Sequence, residues 1–136
     1  MTKQRHPLYT CSMEAALSVI TGKWKVKILN QLLDGPKRYS EIRRNIEGMT
    51  EKMLSQQLHE LEEDKILTRK VYPEVPPRVE YAFTDLGKEL ASIFYALEKW
   101  GAHFLTINSD SIKVADESCY TFREPAEAEA IVQSAI

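Results

Sequence analysis

Apolar residues in the first half of the chain recur at helical spacing. Met13, Ala16, Leu17 and Ile20 make one face of a short helix that Ser12 is placed to cap and Gly22 to break. A second helix is predicted from about Lys23 to Leu33, with Trp24, Ile28, Leu29 and Leu32 on its inner side. Asp34-Gly35-Pro36 stops it, because Gly suits a left-handed end and Pro prevents continuation. Lys37-Arg38-Tyr39 reads as a brief extended stretch. Ser40 then reads as the N-cap of a helix of about two turns that carries Ile42 and Ile46 inward and ends at Gly48. Thr50 is the next N-cap, and a longer helix follows to about Asp64 with Leu54, Leu58 and Leu61 on one face. Two helices joined by a tight, Gly-containing turn form a helix-turn-helix pattern.

The period then changes. Ile66 to Tyr72 is rich in strand-forming residues, and Arg78 to Thr84 alternates, with Val79, Tyr81 and Phe83 on one side and Arg78, Glu80 and Ala82 on the other. Pro73, Pro76 and Pro77 rule out a two-residue hairpin and require a stiff, projecting loop. Thr84 or Asp85 caps a last long helix, about Leu86 to Ile107. Its residues Leu86, Leu90, Ile93, Leu97, Trp100 and Phe104 form a near-heptad stripe. That stripe exceeds what so small a domain can cover. Leu90, Ile93, Leu97, Trp100 and Phe104 are therefore read as a dimer seam shared with the first helix.

The predicted fold is mainly α with a small β-hairpin wing (α+β), a winged helix-turn-helix dimerising through its first and last helices. Residues 1–11 form an N-terminal arm, 12–108 the DNA-binding and dimerisation domain, and 109–136 a polar tail with a short helix after Pro125.

Composition narrows the function classes. The chain has 136 residues and a formal net charge of −2, which argues against binding nucleic acid by bulk charge. The charge is uneven, however: Lys23 to Thr84 carries 12 basic against 10 acidic residues, and Ser109 to Ile136 carries 2 against 6. The N-terminal residues are polar and lead into no apolar stretch of signal-peptide or membrane-spanning length, which predicts a cytoplasmic protein with no membrane partner. Two cysteines, Cys11 and Cys119, are too few for a disulfide scaffold. His6, His59 and His103 show no metal-ligand spacing, so no metal and no cofactor is expected. No Gly-rich phosphate loop, nucleophile elbow or His-Glu metal motif is present, and the chain is read as a non-enzyme. Glu60-Glu62-Glu63-Asp64 reads as a solvated acidic patch.

Several segments together resemble the HxlR-type regulators, the DUF24 group within the MarR-like winged helices. They are Cys11-Ser12-Met13-Glu14, Gly22-Lys23-Trp24-Lys25, Asp34 to Tyr39, Glu51-Lys52-Met53-Leu54, Leu58 to Glu62 and Tyr72 to Tyr81. The resemblance spans about Cys11 to Trp100. It implies a dimeric DNA-binding repressor or activator, and several members of the group sense electrophiles or oxidants through a cysteine at the position Cys11 occupies.

With Leu54, Leu58 and Leu61 turned inward, helical geometry puts Lys52, Ser55, Gln56 and His59 outward, a set suited to major-groove base edges. Thr50 joins this set at the helix start. Lys37, Arg38, Ser40, Arg43 and Arg44 are candidate phosphate contacts, and each could equally be an ordinary surface residue. Arg78, behind the wing residues Pro76 and Pro77, is a candidate for the minor groove or backbone; the competing explanation is pairing with Glu80 or Glu74. The partners expected are a pseudo-palindromic duplex operator, a second copy of the chain, and an oxidant or small-molecule effector. Cys11, before a helix and near Arg5 and His6, suits a thiol sensor; it equally suits an inert cysteine used as a small apolar residue. A disulfide to Cys119 of another copy is a further option. Two alternatives stay open: a regulator answering a small molecule held near Trp24, Phe94 and Trp100, and a winged helix used only for protein contacts.

Overall fold

The computed structural model describes residues 8–110. Arg5, His6, Cys119 and most of the tail expected over 109–136, including the helix after Pro125, lie outside the described residues. Among the described residues, six α-helices and three strands follow one another in the order α1 (Ser12–Ile20), α2 (Lys23–Gln31), β1 (Lys37–Arg38), α3 (Tyr39–Arg44), α4 (Glu51–Glu63), β2 (Leu67–Tyr72), β3 (Arg78–Phe83), α5 (Asp85–Lys88) and α6 (Leu90–Ile107). The sheet is antiparallel with strand order β1-β3-β2. The fold is mainly helical with a small sheet, a winged helix-turn-helix.

The core sits where the inward faces meet. Ile28, Leu29 and Leu32 descend from α2, Ile42 from α3, Leu54, Leu58 and Leu61 from α4, Leu67 and Tyr81 from the sheet, and Leu90, Ala91 and Phe94 from α6. The alternation along β3 is realised: Tyr81 is buried, and Val79 and Phe83 pack against the core beside it.

Several boundaries differ from the sequence reading, each for a local reason. α1 is capped by Cys11, whose Sγ accepts the Glu14 N–H at 3.4 Å, so Ser12 is the first helical residue and not the cap. α2 ends at Gln31, and Leu32–Asp34 tighten into a 3₁₀ turn closed by Gly35 N–H to Leu32 C=O, with Gly35 at φ 128°. Lys37 and Arg38 form more than an extended stretch: they pair with Tyr81 and Glu80 as a third strand, which makes β3 central. α3 begins at Tyr39, because Glu41 Oε1 accepts the Arg38 N–H at 3.2 Å; Arg38, not Ser40, is its cap. Ile46 is buried but lies beyond the end of α3. Thr50 caps α4 as expected, accepting the Met53 N–H at 3.1 Å.

The last helix is interrupted at Glu89. Thr84 Oγ1 accepts the Gly87 N–H at 2.9 Å and starts α5, while its own hydrogen points at the Lys65 carbonyl, 2.6 Å away. Glu89 N–H then bonds three residues back to Leu86, tightening the turn before α6. This crossing brings α5 against the start of β2 so closely that a Cβ on Gly87 would stand 2.2 Å from the Ile66 carbonyl oxygen and 2.9 Å from Phe83 Cδ1.

Helix propensity would make Gly87→Ala stabilising by about 1 kcal/mol. The carbonyl contact reverses the sign: the substitution should destabilise by about 1–3 kcal/mol, the usual cost of overpacking. Urea unfolding of parent and variant measures it, and an unchanged or higher midpoint would show that α5 can shift off β2.

Candidate nucleic-acid interface

α4 is oriented by what it buries. Leu54, Leu58 and Leu61 are fully buried (0% exposed), each stabilising the fold by about 1.5–3 kcal/mol relative to an exposed side chain. Glu60, on the same side, forms a 2.7 Å ion pair with Lys25 of α2, and both side chains are buried. The acidic run is therefore not a uniformly solvated patch: Glu60 is a buried counter-charge that locks α4 to α2. At the start of α4, Tyr39 Oη lies 3.4 Å from the Glu51 carbonyl, to which it donates, and 3.2 Å from Ser55 Oγ, which ties α3 to α4. Gln31 bridges α2 and α3, donating to the Ile42 carbonyl at 3.3 Å and accepting from Asn45 Nδ2 at 3.1 Å.

With that side spent, the opposite side of α4 faces solvent. Lys52, Ser55 and His59 are exposed; His59 Nε2 lies 2.9 Å from Glu63 Oε1. Gln56 is half-buried, and its Nε2 is covered and has no hydrogen-bond partner. Thr50 is exposed, but its oxygen is engaged in the cap. Arg38, Ser40 and Arg44 are exposed around α3, whereas Lys37 and Arg43 are half-buried and Arg43 Nε is unpartnered.

A cleft of about 570 Å³ separates the front of α3 and α4 from the wing. Arg38, Ser40, Ser55, Arg69, Arg78 and the loop Glu74 to Pro77 are among its lining residues. Pro76 and Pro77 are exposed at the tip. Arg78 does not project freely: it lies over the Tyr72 ring at 3.9 Å, and its Nη2 is 3.4 Å from Glu74 Oε1, the pairing named above as the competing explanation. Arg69, a residue the sequence reading passed over, lines the same cleft opposite Tyr81 in the strand register. Burial pushes the Tyr81 phenol above its ordinary ionisation range, and hydrogen bonding to Arg69 pulls the other way. Only strand pairing places Arg69 here; nothing in its local sequence marks it.

A second surface is apolar and uncovered. Ile93, Leu97, Trp100 and Phe104 are 44%, 52%, 66% and 41% exposed along α6, and Trp100 stacks on Phe104 with ring centres 5.6 Å apart. Leu90, grouped with them from the stripe, is instead in the core at 8% exposure, because α6 dips into the domain at its first turn. Met13 and Leu17 of α1 are exposed as well, and no residue of α1 is buried. Leu17, Ile20, Val26, Phe94 and Leu97 line an apolar groove of about 350 Å³ between α1, α2 and α6. Of the aromatics expected at a pocket, Phe94 lines it, and Trp24 and Trp100 do not. Cys11 is exposed at the head of α1. Among the described residues no group of three or more His, Cys, Asp or Glu is placed to hold a metal, and no helix is long and apolar enough to cross a membrane.

A helix-turn-helix with a basic cleft and a projecting wing defines a DNA-binding transcriptional regulator. The HxlR-like helix-turn-helix family model matches residues 19–109, and the chain belongs to that family. It is 47% identical over 111 residues to the uncharacterized HTH-type transcriptional regulator YtcD of Bacillus subtilis (strain 168), covering 81% of this chain and 88% of YtcD. Among solved structures it is similar to the redox regulator HypR in its reduced form, with TM-score 0.68 and 40% identity over 74% of this chain and 99% of that one. It is also similar to the reduced form of the transcriptional regulator YodB from B. subtilis, with TM-score 0.64 and 38% identity over 71% and 95%.

Removing one partner of the Lys25–Glu60 pair leaves an uncompensated buried charge. Lys25→Met should therefore destabilise by about 3–5 kcal/mol, and adding Glu60→Leu should recover most of the loss. Chemical denaturation of the single and double variants reads this out. A double variant no better than the single one would mean that Glu60 is not held mainly by Lys25.

Proposed function

We propose that the chain is a cytoplasmic, sequence-specific regulator that binds duplex DNA as a homodimer, with α4 in the major groove and the wing against the adjacent backbone. The observation that carries this is the division of α4: a leucine side and Glu60 are consumed by the core, and Lys52, Ser55 and His59 are left exposed beside an arginine-lined cleft. Gln56 reads an adenine edge after its amide swings out from its covered position. Lys37, Arg38, Ser40, Arg43, Arg44 and Arg78 hold the phosphates, and Thr50 contributes at the helix start.

The exposed stripe of α6, together with α1, supports dimerisation, since apolar side chains contiguous over several turns mark an interaction surface. The two α4 helices of the dimer then stand about 34–36 Å apart, one DNA turn, on a pseudo-palindromic operator. Residues 12–108 form this unit, and it needs no cofactor.

Cys11 is the thiol through which the regulator senses oxidants or electrophiles. It is exposed, it caps α1, and α1 belongs to the apolar face, so its oxidation acts on the seam that sets the spacing of the reading helices. The likeness to HypR, named a redox regulator, supports this role.

A fluorescence anisotropy titration against the intergenic DNA beside its own gene, with and without diamide at matched salt, tests both parts. Specific binding abolished by diamide is the expected result. Cys11→Ser keeps an oxygen in the cap position, so that variant should remain folded, bind as the parent does and ignore diamide. Specific binding indifferent to diamide would remove Cys11 from the mechanism and favour a small-molecule effector in the groove beside Phe94. Gln56→Ala should lose about 1–3 kcal/mol of discrimination at one base pair per half-site while keeping non-specific affinity. Equal discrimination by parent and variant would move the reading face elsewhere on α4.

A further inference from the structure

Arg78 is more constrained than a wing cation that merely waits for DNA. It faces Tyr72 across the β2–β3 pair, and its guanidinium carbon lies over that ring, 3.9 Å from the centroid. Its side chain is 26% exposed, and Nε is covered and without a hydrogen-bond partner. Its ion-pair partner Glu74, 51% exposed, approaches Nη2 at 3.4 Å. That distance is long for a charge-assisted bond, where about 2.8 Å is usual. The fork lies against the aromatic ring, and among the described residues one loosely bound carboxylate oxygen uses it.

The surroundings are chemically lopsided. Arg38, Arg69 and Arg78 line the cleft together with Ser40 and Ser55, and Glu74 is the acidic residue among its lining groups. A phosphodiester offers a guanidinium the same pair of anionic oxygens that a carboxylate does, and Arg binds both through the same fork. Glu74 therefore sits where an incoming phosphate would sit.

We propose that Glu74 is an intramolecular stand-in for a DNA phosphate. It holds Arg78 in the free protein, and a backbone phosphodiester of duplex DNA entering between α4 and the wing displaces it, with Arg38 and Arg69 as flanking contacts. This rests on the reading of the chain as a DNA-binding protein. The exchange lowers affinity for every duplex and keeps a basic cleft from gripping DNA on charge alone, the term that dominates non-specific binding.

The test is a double-mutant cycle on the full chain. It uses anisotropy at low salt with a labelled duplex of arbitrary sequence, about 25 base pairs long, enough for two half-sites one turn apart. Glu74→Gln should tighten binding about three- to fivefold, the scale of an exposed ion pair. The same change made on Arg78→Ala should give no gain, and made on Arg38→Ala it should keep its gain. A gain of equal size on all three backgrounds would mean diffuse repulsion between Glu74 and DNA and would overturn the stand-in; so would the absence of any gain when the parent binds. A parent that binds no duplex overturns the DNA-binding reading itself, and the inference with it. Thermal melts check folding. If Arg78→Ala does not fold, Arg78→Lys replaces it, keeping the charge without the fork, and the gain should shrink there too.

Discussion

Burial of the leucine side of α4 is the constraint on which the remaining structure depends. Leu54, Leu58 and Leu61 are wholly buried in the core cluster that α4 shares with α2, α3, the sheet and α6, and no rotation of α4 about its axis could keep all three covered. The helix is thereby fixed in azimuth, and every residue on its far side inherits an orientation it did nothing to earn. The Lys25–Glu60 pair acts in the same direction by a different route. Two charges taken from water tolerate little misalignment, since each depends on the other for compensation. Dispersion and transfer energy hold α4 against the core, and the ion pair adds directionality that apolar contacts lack.

The sheet works as a second fixed point. β1 pairs with β3, and this pairing ties the start of α3 directly to the wing. The hydroxyl contacts of Tyr39 then carry the link on to α4. α4, α3 and the wing are consequently linked to one another, and the cleft lies between them. Charge within that cleft is tempered: arginines dominate it, and Arg78, which lies over the Tyr72 ring, already faces a carboxylate. An overall net charge of −2 is compatible with DNA binding for the same reason that a basic cleft is compatible with selectivity: local placement outweighs the total.

The apolar stripe divides into two functions. Leu90 completes the core together with Ala91 and Phe94 beside the stripe, while Leu86, Ile93, Leu97, Trp100 and Phe104 are exposed. A helical stripe read along one dimension cannot show where burial by the same chain stops. The tightened turn at Glu89 precedes α6, and the close crossing of Gly87 against Ile66 joins segments about twenty residues apart.

Local information in the sequence was enough to determine the order of the first four helices and the β2–β3 hairpin, the leucine face of α4, the Thr50 cap, the inward set of β3 and the family resemblance. Each follows from periodicity or from side chains acting within a few residues, where sequence distance and spatial distance coincide. What tertiary structure alone decided lies at longer range. Lys37 and Arg38 became a strand because they pair with Tyr81 and Glu80, more than forty residues on. Glu60 became a buried partner because α2 presents Lys25 at that point, although Glu62, Glu63 and Asp64 follow it closely in the chain. Arg69 entered the cleft through its register opposite Tyr81, and Arg78 met Tyr72 and Glu74 through the hairpin's closure. Charges and polar groups act on whatever is near them in space, and for these residues that neighbourhood exists only after the chain has folded.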